Sequence, residues 1–191
     1  MKKIIIIGAG AMGSAFAVPC VDNKNDVTIV GTHLENDLIE KIKSNDQIHP
    51  ALKTKLSSEV KFEKFEKLQN ILDQDLDIIV CGVSSIGIEW FVKQISKKYK
   101  KGIPIILLTK GLSILDNELT TLSDKIRTLL SKDGHSVINI SAIKGPCLAA
   151  GLANKMRTGT IIANQKVKEA QLLKGIISTN YYSTEISEDI N

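Results

Sequence analysis

Short apolar runs alternate with longer amphipathic segments along most of this chain. The runs are rich in β-branched residues, which is typical of buried strands, and candidate strands lie at residues 3–7, 27–30, 78–83, 103–108, 137–141, 160–163 and 181–186. Apolar residues recur with helical spacing at 12–18, 35–43, 87–98, 118–131 and 166–176. This alternation predicts an α/β fold, in which helices cover both faces of a doubly wound, mostly parallel sheet.

Two parts of the pattern need closer reading. Residues 44–68 are less regular and predict a loop and a minor strand at 60–62, before a helix near 65–72. The fourth helical segment, at 118–131, is preceded by Asp116 and Asn117, and either residue would cap it. No internal repeat or linker interrupts the pattern, so residues 1–191 are expected to form one domain.

Composition and charge narrow the function classes. Of the 191 residues, 43% are hydrophobic, which is enough for a substantial core. The formal net charge of +4 comes from scattered lysines rather than a basic stripe, so a nucleic-acid partner is not expected. No run approaches the ~20 apolar residues that cross a bilayer, so a membrane partner is not expected either.

The three cysteines argue against a cross-linked or metal-bound protein. Cys20, Cys81 and Cys147 are odd in number, far apart and without paired CxxC spacing. Neither a disulfide framework nor a zinc site is therefore expected. The expected location is the reducing cytoplasm.

A glycine motif stands at the end of the first predicted strand. Gly8, Gly10 and Gly13 form a GxGxxG pattern that follows four isoleucines and opens a helix. In this context the first glycine permits a tight turn, the second lets a pyrophosphate approach the backbone, and the third lets helix and strand pack closely. Free amides at the helix N-terminus then attract an anion. The motif predicts a Rossmann-type dinucleotide-binding domain with NAD or NADP as cofactor.

The end of the second predicted strand should carry the residue that binds the adenosine ribose. An acid there would favour NAD, but the strand is followed by Gly31, Thr32 and His33. Thr32 or His33 suits either a ribose hydroxyl or a 2′-phosphate, and Glu35 is expected to start the next helix. The choice between NAD and NADP therefore stays open, and His33 is equally readable as an exposed loop residue.

Three further turns lie at predicted carboxyl ends of strands, where open α/β sheets bind ligands. Ser84 is expected to contact the ligand, to cap the following helix, or to do both. Lys110 projects an ammonium into the same crevice, and the turn at Gly145 offers backbone amides to an anionic or carbonyl substrate. Cys147, in that last turn, has no nearby histidine in sequence, so nucleophilic catalysis is not expected.

These turns together resemble the cofactor domain of the NAD(P)-dependent glycerol-3-phosphate dehydrogenases. The motifs that carry the resemblance are Gly8-Ala9-Gly10-Ala11-Met12-Gly13, Thr109-Lys110-Gly111-Leu112 and Gly145-Pro146-Cys147-Leu148-Ala149. Their order and spacing match that domain over nearly the whole chain. Cys147 stands where a serine or threonine is common in the family.

The resemblance implies a role for each matching position. Ala11 and Met12 would contact the cofactor phosphates through the backbone, while Thr32 and His33 would lie at the adenosine ribose. Lys110 would bridge cofactor and substrate. The remaining implied contacts are Ala149 on the nicotinamide side and Gly145 and Cys147 on the substrate.

The implied reaction is reversible hydride transfer between NAD(P)H and dihydroxyacetone phosphate, which yields sn-glycerol 3-phosphate for glycerophospholipid synthesis. The resemblance places the catalytic lysine beyond residue 191, in a helical domain that this sequence lacks. The chain alone is therefore expected to bind cofactor with little activity, and the full-length form to be a homodimer. An apolar exposed surface is expected near Tyr181, Tyr182 and Ile186.

Two alternatives remain at the level of sequence. One is a related dehydrogenase of the ketopantoate-reductase-like or 6-phosphogluconate-dehydrogenase-like group, although the paired turns at Lys110 and Gly145 argue against it. The other is a non-catalytic NAD(P)-binding module. A module that only senses the cofactor should ignore dihydroxyacetone phosphate.

Overall fold

An eight-stranded sheet forms the centre of the computed structural model, which describes residues 1–190 and leaves Asn191 outside. The strands of the chain are β1 (Lys3–Ile7), β2 (Asp26–Val30), β3 (Ile48–His49), β4 (Thr54–Lys55), β5 (Lys61–Glu63), β6 (Ile78–Cys81), β7 (Pro104–Leu107), β8 (Leu112–Leu115), β9 (Glu118–Thr121), β10 (Asn139–Lys144), β11 (Thr158–Ala163) and β12 (Tyr182–Ser187). The central sheet has the order β12-β11-β10-β7-β6-β1-β2-β5, and β3–β4 and β8–β9 form separate two-stranded ribbons.

Helices lie on both faces of this sheet. They are α1 (Ala11–Asp22), α2 (Asn36–Ser44), α3 (Leu68–Leu72), α4 (Ile88–Ile95), α5 (Leu122–Lys132), α6 (Ala149–Ala153) and α7 (Val167–Ile177), with 3₁₀ turns at Phe65–Lys67, Ser85–Gly87 and Ser96–Lys98. Neighbouring strands of the central sheet are parallel except β10 and β11, which are antiparallel. The predicted α/β fold with a mostly parallel sheet is confirmed.

The isoleucines of β1 explain why its sequence does not alternate. Ile4 and Ile6 pack into the core layer that contains residues of α1, α2 and α7, whereas Ile5 and Ile7 pack into the layer formed with α3, α4 and α5. All four are at most 2% exposed. A strand covered on both faces needs apolar side chains at every position, and the run of isoleucines meets that need.

The strand order reverses direction at β1. The chain passes from β1 to β2 and β5 on one side, and β6, β7 and β10 follow on the other. Connections therefore leave the carboxyl ends of β1 and β6 in opposite directions. In open α/β sheets this topological switch point opens the crevice in which ligands bind.

The predicted cap of the fourth helix is wrong. Residues Glu118–Thr121 form a strand that pairs with Leu112–Leu115, and α5 begins only at Leu122. Asp116 and Asn117 lie between the two strands with φ of 52° and 66°, the backbone of a two-residue type I′ hairpin turn. The cap is Thr121, whose side chain accepts a hydrogen bond from the Asp124 amide.

The expected apolar surface near the last strand is also wrong. Tyr182 is fully buried and its ring packs edge-on against Phe16 with centroids 6.5 Å apart, while Tyr181 is 8% exposed. Ile186 is half-buried. These side chains belong to the core because β12 extends the central sheet and α7 packs along it, while Phe16 of α1 contacts Tyr182.

Three further findings concern the described residues. Within 1–190, no helix is both long enough and apolar enough to span a membrane. In the same part of the chain, no three His, Cys, Asp or Glu side chains gather into a group that could hold a metal ion. The cysteines at 20, 81 and 147 are unpaired and buried.

Candidate functional site

The backbone at the carboxyl end of β1 is packed so closely that two glycines are required. Gly8 has φ of +111°, and a Cβ on it would lie 2.7 Å from the carbonyl carbon of Gly82, which follows β6. A Cβ on Gly13 would lie 2.3 Å from the carbonyl oxygen of Gly8. These contacts bring β1, β6 and α1 together at the switch point, as the motif predicts.

Gly10 differs from its two neighbours in the motif. It precedes α1 with φ of −62°, and the nearest atom to a Cβ on it would be Glu35 Oε1, at 3.9 Å. The fold itself therefore has room for a side chain here. The backbone is open at this point. Ala11 and Met12 are in the first turn of α1, so no carbonyl of a preceding turn accepts from their amides, and these free amides suit an approaching phosphate.

The carboxylate of Glu35 turns back onto the glycine loop. Its Oε2 accepts hydrogen bonds from the amide of Ala9 at 3.0 Å and from the amide of Thr32 at 2.8 Å. Glu35 starts helix α2 as its N-cap residue, as the sequence predicts. The side chain additionally joins the loop after β1 to the loop after β2, which the sequence did not predict.

A buried histidine holds the same loop from the other side. His49 is 1% exposed, and its Nε2 lies 3.0 Å from the carbonyl oxygen of Ala9. Its Nδ1 accepts from the amides of Ala51 and Leu52, so Nε2 carries the proton and donates to Ala9. The hydroxyl of Ser14 donates to the same oxygen. Ala9 is thus fixed at both its amide and its carbonyl.

A pocket of about 470 Å³ opens beside this loop. Its walls include Gly10, Thr32, His33, Glu35 and Ser84, which follow β1, β2 and β6. The rings of His33 and Trp90 also line the pocket, with centroids 5.2 Å apart, and the ring of Phe65 packs against Trp90 with centroids 5.7 Å apart. The pocket thus combines an open backbone loop, a carboxylate and aromatic rings, which are the kinds of group that suit phosphate, hydroxyls and a flat base.

Ser84 lies at the cap position that the sequence suggested for it. Its backbone is extended and its carbonyl oxygen accepts from the amide of Gly87, but its hydroxyl makes no capping hydrogen bond. The capping interpretation is therefore wrong for the side chain. The hydroxyl is exposed in the pocket.

A second group of predicted residues follows β7 and β10, which are two and three strands away from β1, at the same edge of the sheet. Lys110 follows β7, is exposed, and donates from Nζ to the carbonyl oxygen of Gly145 after β10. Gly145 has φ of +99°, which favours glycine. The hydroxyl of Thr109 donates to the carbonyl oxygen of Val83 at 2.5 Å and ties this group to the end of β6.

Cys147 and Ala149 complete the second group. Cys147 is 7% exposed, and burial raises the pKa of its thiol, against smaller opposing effects of Thr158 and Lys110. A raised pKa keeps a thiol protonated, and the protonated form is a poor nucleophile. Ala149 begins α6, which contacts α1, and both Ala149 and Met12 pack against one core layer.

The predicted residues therefore form two neighbouring groups. Gly10, Thr32, His33 and Ser84 share the pocket, whereas Lys110, Gly145, Cys147 and Ala149 lie at the same edge without lining it. Sequence reasoning missed the loop contacts of Glu35 and His49 and the aromatic side chains of Phe65 and Trp90. Motif spacing gave no signal for these residues, because they lie 26 or more residues away from Ala9 in the sequence.

The chain is similar to known proteins in both sequence and fold. Residues 3–170 match the family model described as NAD-dependent glycerol-3-phosphate dehydrogenase N-terminus. A protein from Archaeoglobus fulgidus named NADP(+)-dependent glycerol-3-phosphate dehydrogenase is 33% identical over 98% of this chain and 54% of its own length. A glycerol-3-phosphate dehydrogenase [NAD(P)+] from Mesoplasma florum is 31% identical over 99% of this chain and 54% of its own length.

Solved structures agree with this comparison at the level of the fold. The glycerol-3-phosphate dehydrogenase of Plasmodium falciparum matches 99% of this chain and 53% of its own with a TM-score of 0.83 at 20% identity. That of Coxiella burnetii matches 99% of this chain and 55% of its own with a TM-score of 0.81 at 17% identity. The chain spans about half the length of the relatives that it matches.

Proposed function

The chain belongs to the NAD-dependent glycerol-3-phosphate dehydrogenase family, and from that premise we propose that it binds NAD(H) or NADP(H) as the cofactor-binding part of an oxidoreductase. One observation carries the proposal. Gly8 and Gly13 are closed in by backbone, whereas Gly10 faces an open pocket although its own backbone is unstrained. Packing accounts for Gly8 and Gly13, and a ligand that approaches the backbone closely accounts for Gly10.

The substrate pair that we infer is dihydroxyacetone phosphate and sn-glycerol 3-phosphate. A reduced nicotinamide bound here would supply the hydride that reduces C2 of dihydroxyacetone phosphate, and the carbonyl oxygen of the substrate would take up a proton. The products are sn-glycerol 3-phosphate and the oxidised cofactor, and the reverse reaction consumes them. This reaction would supply glycerophospholipid synthesis.

The residues of the chain divide the binding between the two groups. The amides of Ala11 and Met12 hold the pyrophosphate at the start of α1, and Thr32, His33 and Ser84 line the pocket for the adenosine side.

The second group serves the reacting end. Ala149 lies on the nicotinamide side, Gly145 and Cys147 on the substrate side, and Lys110 between cofactor and substrate. The bond from Lys110 to the Gly145 carbonyl supports this role, because it holds an ammonium at the carboxyl edge where an anionic substrate would enter.

The test uses a reporter that the pocket already contains. Trp90 is the chain's single tryptophan and lines the pocket, so bound NADH or NADPH should quench its fluorescence. Titration of the 191-residue chain should give saturable quenching. Quenching that never saturates, or that free nicotinamide produces equally well, would overturn the proposal.

Dihydroxyacetone phosphate separates the enzyme from a module that only senses the cofactor. Its addition should tighten cofactor binding, and replacement of Lys110 by methionine should remove this coupling while cofactor binding alone remains. Glycerol without phosphate is the control ligand. Cofactor affinity that stays the same with and without dihydroxyacetone phosphate would favour the non-catalytic module.

Location and assembly are further parts of the proposal. The free thiols of Cys20, Cys81 and Cys147 suit the reducing cytoplasm, and cell fractionation tests that location. The family resemblance leads us to infer a homodimer, which light scattering at several concentrations tests.

A further inference from the structure

Within residues 1–190, the side chains that line the pocket include a carboxylate but no lysine or arginine. Among the described residues that line it, Glu35 is the acidic side chain, His33 is the other titratable one, and no lysine or arginine is present. A ligand that brings additional negative charge to this pocket would therefore meet a carboxylate without a compensating cation from its walls. This asymmetry bears on which of two closely related dinucleotides the pocket accepts.

The carboxylate of Glu35 is held in place by backbone. Its Oε2 accepts from the amides of Ala9 and Thr32, and the amide of Glu35 itself donates to the Thr32 carbonyl oxygen. The carbonyl oxygen of Glu35 accepts from the amide of Ile39 in the first turn of α2. Both ends of this short segment are therefore fixed, and the side chain has little freedom to swing away.

The second carboxylate oxygen faces the ligand space. No hydrogen bond between described residues uses Glu35 Oε1, and this atom is the nearest to a Cβ built on Gly10, at 3.9 Å. Gly10 is the position where the pyrophosphate approaches the backbone, and the adenosine ribose is the next group along a dinucleotide. Oε1 thus lies next to the path of the ribose.

We propose that Glu35 accepts a hydrogen bond from the adenosine ribose and makes this chain select NAD(H) over NADP(H). The inference rests on the proposed function, since it specifies which dinucleotide the same pocket takes. An acid at the tip of the second strand is the usual means of this selection, but here β2 ends at Val30 and is followed by Gly31, Thr32 and His33. A carboxylate from five residues further on reaches the loop instead.

The electrostatic reason for selection is direct. A 2′-phosphate carries one to two negative charges close to the position of the 2′-hydroxyl, and juxtaposed like charges strongly disfavour binding. The ribose hydroxyl of NAD(H), in contrast, donates to the carboxylate. The relative from Archaeoglobus fulgidus is named NADP(+)-dependent, so the selection would distinguish this chain from that protein.

The experiment compares NADH and NADPH by quenching of Trp90 at low ionic strength. The unaltered chain should bind NADH at least about tenfold more tightly than NADPH. Glu35→Gln keeps an amide oxygen that can accept from Ala9 and Thr32 but removes the charge, so it should reduce the ratio at least about fivefold, chiefly by improving NADPH binding. Asp37→Asn removes a charge from the exposed face of α2 and should leave the ratio unchanged.

Two further measurements on the unaltered chain test whether the 2′-phosphate weakens binding through its charge. Competition by 2′,5′-ADP should be weaker than competition by 5′-AMP, because the two differ only in the phosphate that would meet Glu35. Added salt should narrow the difference between NADH and NADPH in the unaltered chain, because it screens like-charge repulsion. These measurements decide the question even if Glu35→Gln does not fold.

The possible results are distinct. Equal or tighter binding of NADPH by the unaltered chain would overturn the selection while leaving the proposed function intact. A selection that survives Glu35→Gln in a folded variant would overturn the role of this residue. Failure of both dinucleotides to bind would overturn the proposed function and the inference with it.

Discussion

Among single residues, the three glycines of the loop after β1 differ in what a methyl group would meet. Gly13→Ala brings a Cβ to 2.3 Å from the Gly8 carbonyl oxygen, so we expect a loss of about 3 kcal/mol in the free energy of unfolding. Gly10→Ala meets nothing within 3.9 Å and should cost less than about 1 kcal/mol, but should weaken NADH binding at least about tenfold. Urea unfolding and Trp90 quenching measure the two effects separately.

Each variant serves as the control for the other. If Gly10→Ala were as destabilising as Gly13→Ala, the open face at Gly10 would be a feature of folding rather than of binding. If Gly10→Ala bound NADH like the unaltered chain, the pocket beside it would not be the pyrophosphate site.

Asp77 hydrogen-bonds the start of β1, and its replacement tests how the free energy of unfolding depends on pH. Its carboxylate accepts from Lys2 Nζ and from the Lys3 amide, and these contacts lower its pKa from the ordinary value of 3.8. A lowered pKa means that the stabilisation is complete above the ordinary value and is lost as the pH falls through the folded-state value. Asp77→Asn should therefore cost about 1 kcal/mol or less at pH 7, because both partners are partly exposed, and almost nothing at pH 2.

Chemical unfolding at the two pH values measures this difference. Asp75→Asn is the matched control, because Asp75 is 97% exposed in its pair with Lys100 and should show no measurable effect at either pH. A cost of Asp77→Asn that did not change between pH 7 and pH 2 would mean that charge is not what Asp77 contributes.

For single residues, the positions of the glycine motif could be predicted from the sequence, but the side chains that hydrogen-bond the loop could not. Gly8, Gly10 and Gly13 could be assigned from spacing because the turn, the approach and the packing are local backbone properties. Glu35 and His49 reach Ala9 across 26 and 40 residues, a distance over which sequence periodicity carries no information. Only the folded chain brings them to one peptide unit.

Helices and strands could be predicted from the sequence where burial requires apolar residues at regular spacing or in a continuous run. The strands of the central sheet begin and end within three residues of their predicted bounds, since buried residues mark each strand, as a continuous run in β1 and β6 and at alternate positions in β12. The β8–β9 hairpin was mistaken for the start of α5, because Asp-Asn before an amphipathic helix resembles a cap as much as a turn. The positive φ of both Asp116 and Asn117 shows that they form the turn.

Thr121 tests the corrected start of α5. Its hydroxyl accepts from the Asp124 amide at 3.2 Å, so Thr121→Ala should lower the free energy of unfolding by about 1 kcal/mol. Thr120→Ala, one residue earlier on β9, removes the same group from a position without a cap and should cost less. Thermal unfolding followed by circular dichroism compares them. Equal losses would show that strand pairing, rather than the cap, makes Thr121 important.

At the scale of the molecule, side chains near the end of α1 join the first and last parts of the chain. Asn23 donates from Nδ2 to the carbonyl oxygens of Ile176 and Ser178, at 3.0 Å and 2.7 Å. Asn23→Ala would leave these partly buried carbonyls without that donor, so we expect a loss of about 1–3 kcal/mol. Unfolding should still occur in one transition, because α1 and α7 share a core layer.

Coincident urea curves from Trp90 fluorescence and circular dichroism would support that single transition. Asn180→Ala, on an exposed turn, is the control with the same change of side chain. Separate transitions would mean that the strands after β10 form a unit of their own. The sequence could not settle this point, since apolar runs do not specify which strands pair or that β11 runs antiparallel.

The fixation of Ala9 has a consequence for the thermodynamics of ligand uptake. Glu35, His49 and Ser14 already restrain this peptide unit, so its backbone entropy is lost when the chain folds rather than when a dinucleotide arrives. A preorganised loop of this kind adds little to the entropic cost of association. Hydrogen exchange of the Gly8 and Ala9 amides, which donate to Val30 and Glu35, should therefore be slow already in the free protein. The free amides of Ala11 and Met12 should exchange faster, and a bound cofactor should slow them.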